Sequence, residues 1–367
     1  WRAESCEVTI VNIVIFFVIL GALILLHELG HFVLAKRAGI KVEEFGLGFP
    51  PRLFAIRRGE TEYSLNLIPL GGFVRMLGEE DPSAPRSFAA APRGWRIAIL
   101  AAGATMNIVV AVLLFTSAYV SGWPAVTESE VIITQILPNS PAAQAGLQPG
   151  DVIQSLGGET IQRTDQLQSA ISRHLGQPTR FDILRLNSQM TLQLTPRATW
   201  PPDQGPIGVA IEDHALKVEP VYYALPRAFV LGLTRTVQTL VITLTIPILV
   251  LRGLIPPDVA RPIGPLGIYQ ITSQAATQSI ASGWWYPVLS VAGLISAGLG
   301  LANLLPIPGL DGGRLLFVIL ETIRGRRISA QRESLIHLVG LAFLVSVVLV
   351  ITYFDILSPV NVNFVPH

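Results

Sequence analysis

Two histidines and a glutamate lie close together near the start of the chain, in the motif His27-Glu28-Leu29-Gly30-His31. On a helix, His27 and His31 are one turn apart on the same face, so both imidazoles can bind one metal ion. Glu28 lies beside them and can reach a water molecule at that metal. This spacing is typical of a zinc-dependent hydrolase, although a motif this short also occurs by chance.

The segment that carries the motif, Val8 to Ala35, is apolar and long enough to cross a membrane. Similar apolar runs extend over Ile97 to Val120, Pro287 to Leu305 and Leu335 to Phe354. Ionisable residues inside a span are costly to bury, and their presence there indicates a functional site by default. The alternative is that the three polar side chains only pack between helices. Because burial is costly, we favour the metal site.

The composition indicates a membrane protein and excludes other classes. Half of the 367 residues are hydrophobic and 14% are charged, whereas soluble domains carry about 25% charged residues. The net charge is +1, and basic residues do not cluster beyond the flanks of the apolar runs, which argues against nucleic-acid binding. Because Cys6 is the single cysteine, a disulfide framework and a cysteine-rich zinc site are excluded.

The distribution of basic residues predicts the topology. Lysines and arginines are frequent in the loop after the first apolar run and in the loop before the last one, and such loops favour the cytoplasm. Four spans place both loops on that side. A fifth run, Ala228 to Leu251, has polar residues at helical spacing, so we predict an interfacial or half-inserted amphipathic helix there.

A catalytic zinc ion needs a third protein ligand and an open position. Asp311 is the candidate, because it follows a proline- and glycine-rich stretch at the end of the third span. Prolines and glycines break the helix, and irregular backbone at membrane depth must line protein or water. Such a break can aim a carboxylate inward. The alternative is an ordinary exit from the membrane, with Asp311 capping the next helix.

Together, the two motifs resemble those of the site-2 protease family of intramembrane zinc metalloproteases. The second motif keeps the pattern Asn-x-x-Pro-x-Pro-x-x-Asp-Gly from Asn303 to Gly312. The resemblance implies Glu28 as the catalytic acid and base, and Asn303 as a residue near the substrate strand or the developing oxyanion. It also implies Zn²⁺ as the cofactor and three zinc ligands, which are His27, His31 and Asp311.

The resemblance extends to two further regions. Relatives commonly have Gly-Pro-x-x-Asn in the second span, whereas this chain has Gly-Ala-Thr-Met-Asn ending at Asn107, which remains a candidate for substrate binding. The family suggests membrane-associated β-hairpins within Lys41 to Met76. An exposed strand edge there could bind an unwound substrate by strand addition, and the alternative is a plain cytoplasmic loop. The candidate substrate contacts in this region are Gly71, Gly72 and Phe73.

Between the second and third spans, the composition becomes that of a small soluble domain. The stretch Asn139 to Ile153 looks like part of a PDZ domain of the kind found in periplasmic proteases, and Gly146 and Gly150 suit turns with positive φ. PDZ domains bind peptide C-termini by strand addition. The alternative is a size filter that blocks bulky substrate ectodomains without binding any peptide.

The predicted architecture is a multi-pass α-helical membrane protein with four transmembrane helices, a β-hairpin region and an inserted α+β PDZ domain. Residues 1–126 form the first half of the membrane core, 127–197 the PDZ domain, 198–283 a linker with the interfacial helix, and 284–367 the second half. We expect a location in the inner (plasma) membrane, with the active site toward the cytoplasm and the PDZ domain outside.

The predicted function is zinc-dependent endopeptidase cleavage within the transmembrane segments of single-span proteins, in regulated proteolysis. The family implies substrates that another protease has first shortened, such as anti-sigma-factor-like proteins or signal-peptide remnants. The alternative is a membrane-anchored PDZ adaptor with a structural or inactive metal site. Arg314 is interpreted as a membrane anchor, and the alternative is a group that supports Asp311. Three histidines without ligand spacing are interpreted as surface or packing residues: His174, His214 and His337.

Overall fold

A computed structural model describes residues 2–79, 81–201, 204–256, 260–326, 329–362 and 364. The chain forms two compact units. The first, which contains the apolar helices, comprises the residues up to Gly122 and Tyr222–Val362. The second is the insert Trp123–Val221.

In chain order, elements of the first unit come before and after those of the insert. The helices are α1 (Arg2–Arg37), α2 (Arg93–Val120), α3 (Pro141–Gln144), α4 (Thr164–Arg173), α5 (Leu225–Leu251), α6 (Pro265–Ser282), α7 (Tyr286–Leu304), α8 (Asp311–Arg324) and α9 (Ala330–Leu357). The strands are β1 (Val42–Arg58), β2 (Thr61–Met76), β3 (Trp123–Ile136), β4 (Val152–Leu156), β5 (Glu159–Thr160), β6 (Thr179–Arg185), β7 (Ser188–Leu194) and β8 (Val209–Val221).

Among the described residues, five helices are long and apolar enough to cross a membrane: α1, α2, α5, α7 and α9. Four of them coincide with the predicted spans, and the fifth is the helix predicted to lie in the interface. The buried residues of α5 are Ala228, Gly232 and Thr236, which follow one face. A Cβ on Gly232 would come within 2.5 Å of Thr116 Oγ1 in α2. The first half of α5 therefore packs on α2, and its interfacial position stays a prediction.

Helix α2 packs between α1 and α7 through small residues. A Cβ on Gly30 of α1, or on Gly300 of α7, would press on the backbone of α2. The Ser296 hydroxyl of α7 also donates to the Asn107 carbonyl at 2.7 Å. Lipid tails are as apolar as the helix surfaces, so close packing of small residues holds such helices together. The close packing at Gly30 brings the histidine-bearing face of α1 against α2.

Strands β1 and β2 are bent, and together they form a sheet of four strand segments. Residues 42–47 pair with 72–76 on one side and with 62–65 on the other. Residues 52–58 pair with the free side of the 61–66 segment. The segments 72–76 and 52–58 are therefore the two edges. The predicted strands within Lys41 to Met76 are confirmed, and their association with the membrane stays a prediction.

The second unit is built on an antiparallel sheet in the order β7-β6-β4-β3-β8, with β5 paired to β4. Gly146 and Gly150 have the expected positive φ angles, 78° and 93°. The core is apolar, with contributions from the strands and from α4. Its fully buried members include Val131, Ile133, Ile153, Leu156, Leu167, Phe181 and Ile183.

This unit extends beyond the boundary predicted at residue 197. Strand β8 pairs with β3 along its whole length, although the sequence analysis assigned these residues to a linker. No residue of β8 is fully buried. The strand therefore does not require the alternation of apolar and polar residues by which a half-buried strand is predicted from sequence. Its pairing with β3 depends on residues far away in sequence. Residues 202–203 and 257–259 of the predicted linker lie outside the described residues.

Candidate active site

The three predicted metal ligands converge from two helices that are far apart in sequence. His27 and His31 lie one turn apart on α1, and Asp311 is the first residue of α8. Asp311 Oδ2 is 2.9 Å from His27 Nε2 and 3.2 Å from His31 Nε2. The two Nε2 atoms are 3.2 Å apart. Both histidines are buried, and the carboxylate is partly exposed. The structure therefore brings together residues that the sequence places in two separate motifs.

The distances between these atoms fit a zinc ion. Nitrogen and oxygen ligands lie 2.0–2.2 Å from zinc, so tetrahedral geometry separates two ligand atoms by about 3.3 Å. The three separations of 2.9, 3.2 and 3.2 Å are close to this value. Two imidazoles and one carboxylate are also a donor set typical of hydrolytic zinc, which leaves the fourth position open. The residues present thus suit the metal that the motifs predict.

Neighbouring groups of α2 orient both imidazoles. His31 Nδ1 donates to the Ile99 carbonyl at 2.7 Å, which leaves the lone pair of Nε2 directed at the metal position. His27 Nδ1 lies 3.3 Å from the side-chain amide of Asn107. A half-turn of this amide places Oδ1 at His27 Nδ1, where it accepts the ring N–H. It also gives a partner to a buried oxygen that has none among the described residues.

The position of Asn107 does not fit the role that the sequence predicted for it. It was predicted to contact substrate, but its side chain is 1% exposed and lies behind His27. A buried amide against the far nitrogen of a ligating histidine is a common way to fix the ring. This place favours orientation of His27 over contact with a substrate.

Sequence reasoning did not assign a role to Gly103, which lies directly over the site. A Cβ at this position would be 2.6 Å from His27 Nε2 and closer still to His31 Nε2. Only glycine leaves room for both imidazoles at their present distance from α2. In the sequence, the signal for this close approach was a glycine four residues before Asn107, inside the apolar run Ile97 to Val120.

Asp311 points at the histidines because the chain folds back before it. Helix α7 ends at Leu304, and two prolines follow before α8 begins. A Cβ on Gly312 would collide with the backbone at Leu305, and one on Gly313 would lie 2.5 Å from the Ile307 carbonyl oxygen. The N-cap of α8 is Leu310 and has no side-chain cap. The alternative in which Asp311 serves as the N-cap is therefore wrong.

Ion pairs at two positions of α8 fix this helix to the rest of the unit. Arg314 Nη1 lies 2.9 Å from Glu79 Oε2, so this arginine has a specific partner in addition to its predicted place at the membrane boundary. Further along α8, Glu321 Oε2 lies 2.8 Å from Arg96 Nη1 of α2, and both side chains are less than 10% exposed. These pairs restrain the helix that begins with Asp311.

Glu28 lies between the histidine pair and an edge of the four-segment sheet. A Cβ on Gly72 would be 3.0 Å from Glu28 Cγ, so the strand passes directly beside this side chain. Gly71 has a φ of 113°, and the Phe73 ring covers Gly46 on the neighbouring segment. The edge strand that contains the predicted contact residues is therefore adjacent to the predicted acid and base.

Asn303 lies in the last turn of α7, at the level where the helix ends. Its side chain is half-buried and makes no hydrogen bond with the described part of the chain. A polar group with this freedom at the end of an apolar helix is available to a ligand.

Comparison with known proteins identifies the family. The sequence model of peptidase family M50 matches residues 15–347. The chain belongs to this family, the site-2 proteases. It is similar to the regulator of sigma-W protease RasP of Bacillus subtilis (strain 168), with 31% identity over 429 residues, covering 94% of this chain and 98% of the relative. A putative zinc metalloprotease of Clostridium perfringens is 33% identical over 341 residues, covering 93% and 97%.

The family match confirms the resemblance seen in the sequence. This M50 peptidase is a membrane-embedded zinc metalloprotease, and its cofactor is Zn²⁺. Part of the chain is also similar to the PDZ domain of an SdrC-like protein from Listeria monocytogenes. That likeness has 19% identity and a TM-score of 0.21, and covers 24% of this chain and 92% of the solved one.

Proposed function

We propose that the chain cleaves transmembrane segments of single-span proteins, with zinc held by His27, His31 and Asp311. The observation that carries this proposal is the convergence of three donor atoms, from residues 284 positions apart in sequence, beside Glu28 and a free strand edge. A structural zinc site would normally use four protein ligands. Only these three group together among the described residues, which favours a catalytic site over an adaptor with a structural metal.

Zinc, when bound, supplies a Lewis acid that polarises a carbonyl group and lowers the pKa of water. The Glu28 carboxylate lies beside the donor atoms and can accept the proton of the attacking water. It then returns this proton to the amine that leaves when the peptide bond breaks. The buried imidazoles, each held at Nδ1, keep their orientation through both steps.

The edge segment 72–76 is the proposed substrate cradle. A transmembrane helix satisfies its peptide groups internally, so its scissile bond is exposed only after local unwinding. An unwound stretch can then pair with the free edge, whose other side is already occupied by residues 42–47. Because Gly72 has no side chain, the paired substrate backbone can approach Glu28. Asn303 is proposed as a further polar contact to the substrate.

The surroundings of the sheet support its association with the membrane. Large apolar side chains on β1 and β2 are 46–60% exposed, which is unfavourable in water. They include Phe49, Leu53, Phe54, Ile56, Leu65 and Leu67. We propose that they contact lipid, and that the sheet receives substrate from within the bilayer.

The proposed orientation places the active site toward the cytoplasm and the insert Trp123–Val221 outside, in the inner (plasma) membrane. The basic loops of the sequence support this orientation. The insert is proposed to be a PDZ domain that recognises or excludes substrates according to whether they have been trimmed. Anti-sigma-factor-like proteins and signal-peptide remnants are the proposed substrate classes, in line with the name of the Bacillus subtilis relative.

The test uses the full chain, reconstituted in vesicles with a single-span test substrate. Glu28→Gln keeps the size of the side chain but cannot accept a proton, so cleavage should fall by about 10²–10⁴-fold while the zinc content stays near one per chain. Glu43→Gln serves as the matched control, because this glutamate of β1 is only partly buried and its two ion pairs, with Lys41 and Arg75, are both long at 3.9 Å. Chelation should stop cleavage, and added zinc should restore it. Cleavage that persists in Glu28→Gln, or after complete removal of zinc, would overturn the proposal.

A further inference from the structure

Helix α9 contacts the rest of the membrane unit in two regions, one toward each end of the helix. Its most apolar stretch of 18 residues contains no buried residue. Near its C-terminal end, the buried Asp355 accepts the backbone N–H groups of Gly264 and Gly267, at 3.1 and 2.9 Å. Near its other end, residues 337–341 lie against the loop that precedes Asp311. The second attachment is therefore close to the zinc site.

The contact between α9 and this loop involves backbone on both sides. A Cβ on Gly309 would lie 3.2 Å from the Leu341 nitrogen, and one on Gly340 would lie 2.5 Å from the Pro308 carbonyl oxygen. Gly309 also has a φ of 98°, which other residues rarely adopt. The loop is thus shaped to lie flat on α9.

One side chain of α9 makes a hydrogen bond to the loop. The Gly309 N–H donates to His337 Nδ1 at 3.0 Å. The His337 ring also meets the Phe317 ring of α8 edge-on, with 5.4 Å between centroids. The imidazole therefore contacts both the loop before Asp311 and the helix that Asp311 begins.

We propose that His337 is a positioning residue of the peptidase: by accepting the Gly309 N–H, it fixes the loop that aims the Asp311 carboxylate at the two histidines. Gly309 is two residues from Asp311, so a shift of the loop moves the carboxylate directly. The inference rests on the proposed zinc ligands. It assigns a role in the active site to the last membrane helix, through a histidine that the sequence pattern left as a packing residue.

Two substitutions separate hydrogen bonding from packing. His337→Phe keeps an aromatic ring against Phe317 but removes the acceptor. His337→Asn removes the ring but keeps an acceptor oxygen close to the place of Nδ1. If the hydrogen bond positions Asp311, the phenylalanine variant should bind zinc about tenfold more weakly, as for other groups that support metal ligands. The asparagine variant should remain near the unsubstituted protein.

The dissociation constant for zinc is measured on the full chain in detergent micelles, by competition with a chromophoric chelator. Cleavage at limiting zinc should then show a lower kcat for His337→Phe and an unchanged KM. Equal zinc affinities for all three proteins, or weaker binding in His337→Asn, would overturn the inference. The zinc measurement does not require proteolysis. A chain that binds zinc but cleaves nothing would therefore contradict the proposed function and still test the role of His337.

Discussion

The close approach of α2 to the two imidazoles gives a sharp prediction for Gly103→Ala. The added Cβ would lie 2.3 Å from His31 Nε2 and 2.6 Å from His27 Nε2, whereas ordinary contact begins at 3.4 Å. Either the rings or the helix must therefore move by about 0.8–1.1 Å to restore van der Waals contact. Zinc–ligand distances tolerate deviations of about 0.2 Å. The methyl group should thus prevent His27 and His31 from binding the same ion in their present geometry.

A misplacement of about 1 Å at a catalytic centre can lower the rate by about 10²-fold. We therefore expect Gly103→Ala to reduce cleavage of the single-span test substrate by at least this factor, with a parallel loss of bound zinc. Zinc is measured per chain by elemental analysis after purification, and cleavage is followed in reconstituted vesicles.

Gly94→Ala is the matched control, because it adds the same methyl group to the same helix. A Cβ on Gly94 has no atom within 4 Å, and alanine is the better helix former, so zinc binding and cleavage should not change. If Gly103→Ala bound zinc and cleaved substrate as well as Gly94→Ala, the close approach of α2 to the two imidazoles would be refuted.

Two further variants probe the groups that hold the ligands. Asn107→Leu removes the partner of His27 Nδ1 and should weaken zinc binding by about 10–100-fold, while Asn107→Asp, which can still accept the ring N–H, should retain most of the affinity. Equal losses in both variants would show that the acceptor is not what matters. Glu321→Gln leaves the buried Arg96 without its counter-charge and should lower the free energy of unfolding by about 3–5 kcal/mol. Glu43→Gln, at a partly exposed glutamate, should change the free energy of unfolding by about 0–1 kcal/mol, and thermal unfolding in micelles compares the two variants.

The sequence was sufficient to predict which residues group together at the candidate site. His27 and His31 are separated by one helical turn, so their spacing alone places them on one face. Asp311 follows a break in an apolar helix, which is also a local signal. The predicted topology implies that these two segments meet, and the separations between the donor atoms support this prediction.

The supporting groups could not be predicted, because they depend on which helices touch. Gly103 matters only because α2 lies against α1 at the level of the imidazoles. In the same way, the sequence shows His337 only as a polar residue in a largely apolar helix. Its hydrogen bond depends on the packing of α9 against the loop that contains Gly309. Strand β8 was missed for a related reason, since most of its side chains are exposed and its partner is distant in sequence.

The distance along the chain between the ligands also has a consequence for biosynthesis. His27 and Asp311 are 284 positions apart, so the first two of the proposed ligands are synthesised long before the third. At about 5–20 residues per second, translation takes about 15–60 s to cover this interval. During that time, the nascent chain contains the histidines and Glu28 but lacks the carboxylate that completes the donor set. If His27, His31 and Asp311 hold the zinc as proposed, we expect a newly inserted chain to be inactive toward neighbouring membrane proteins until Asp311 has been synthesised.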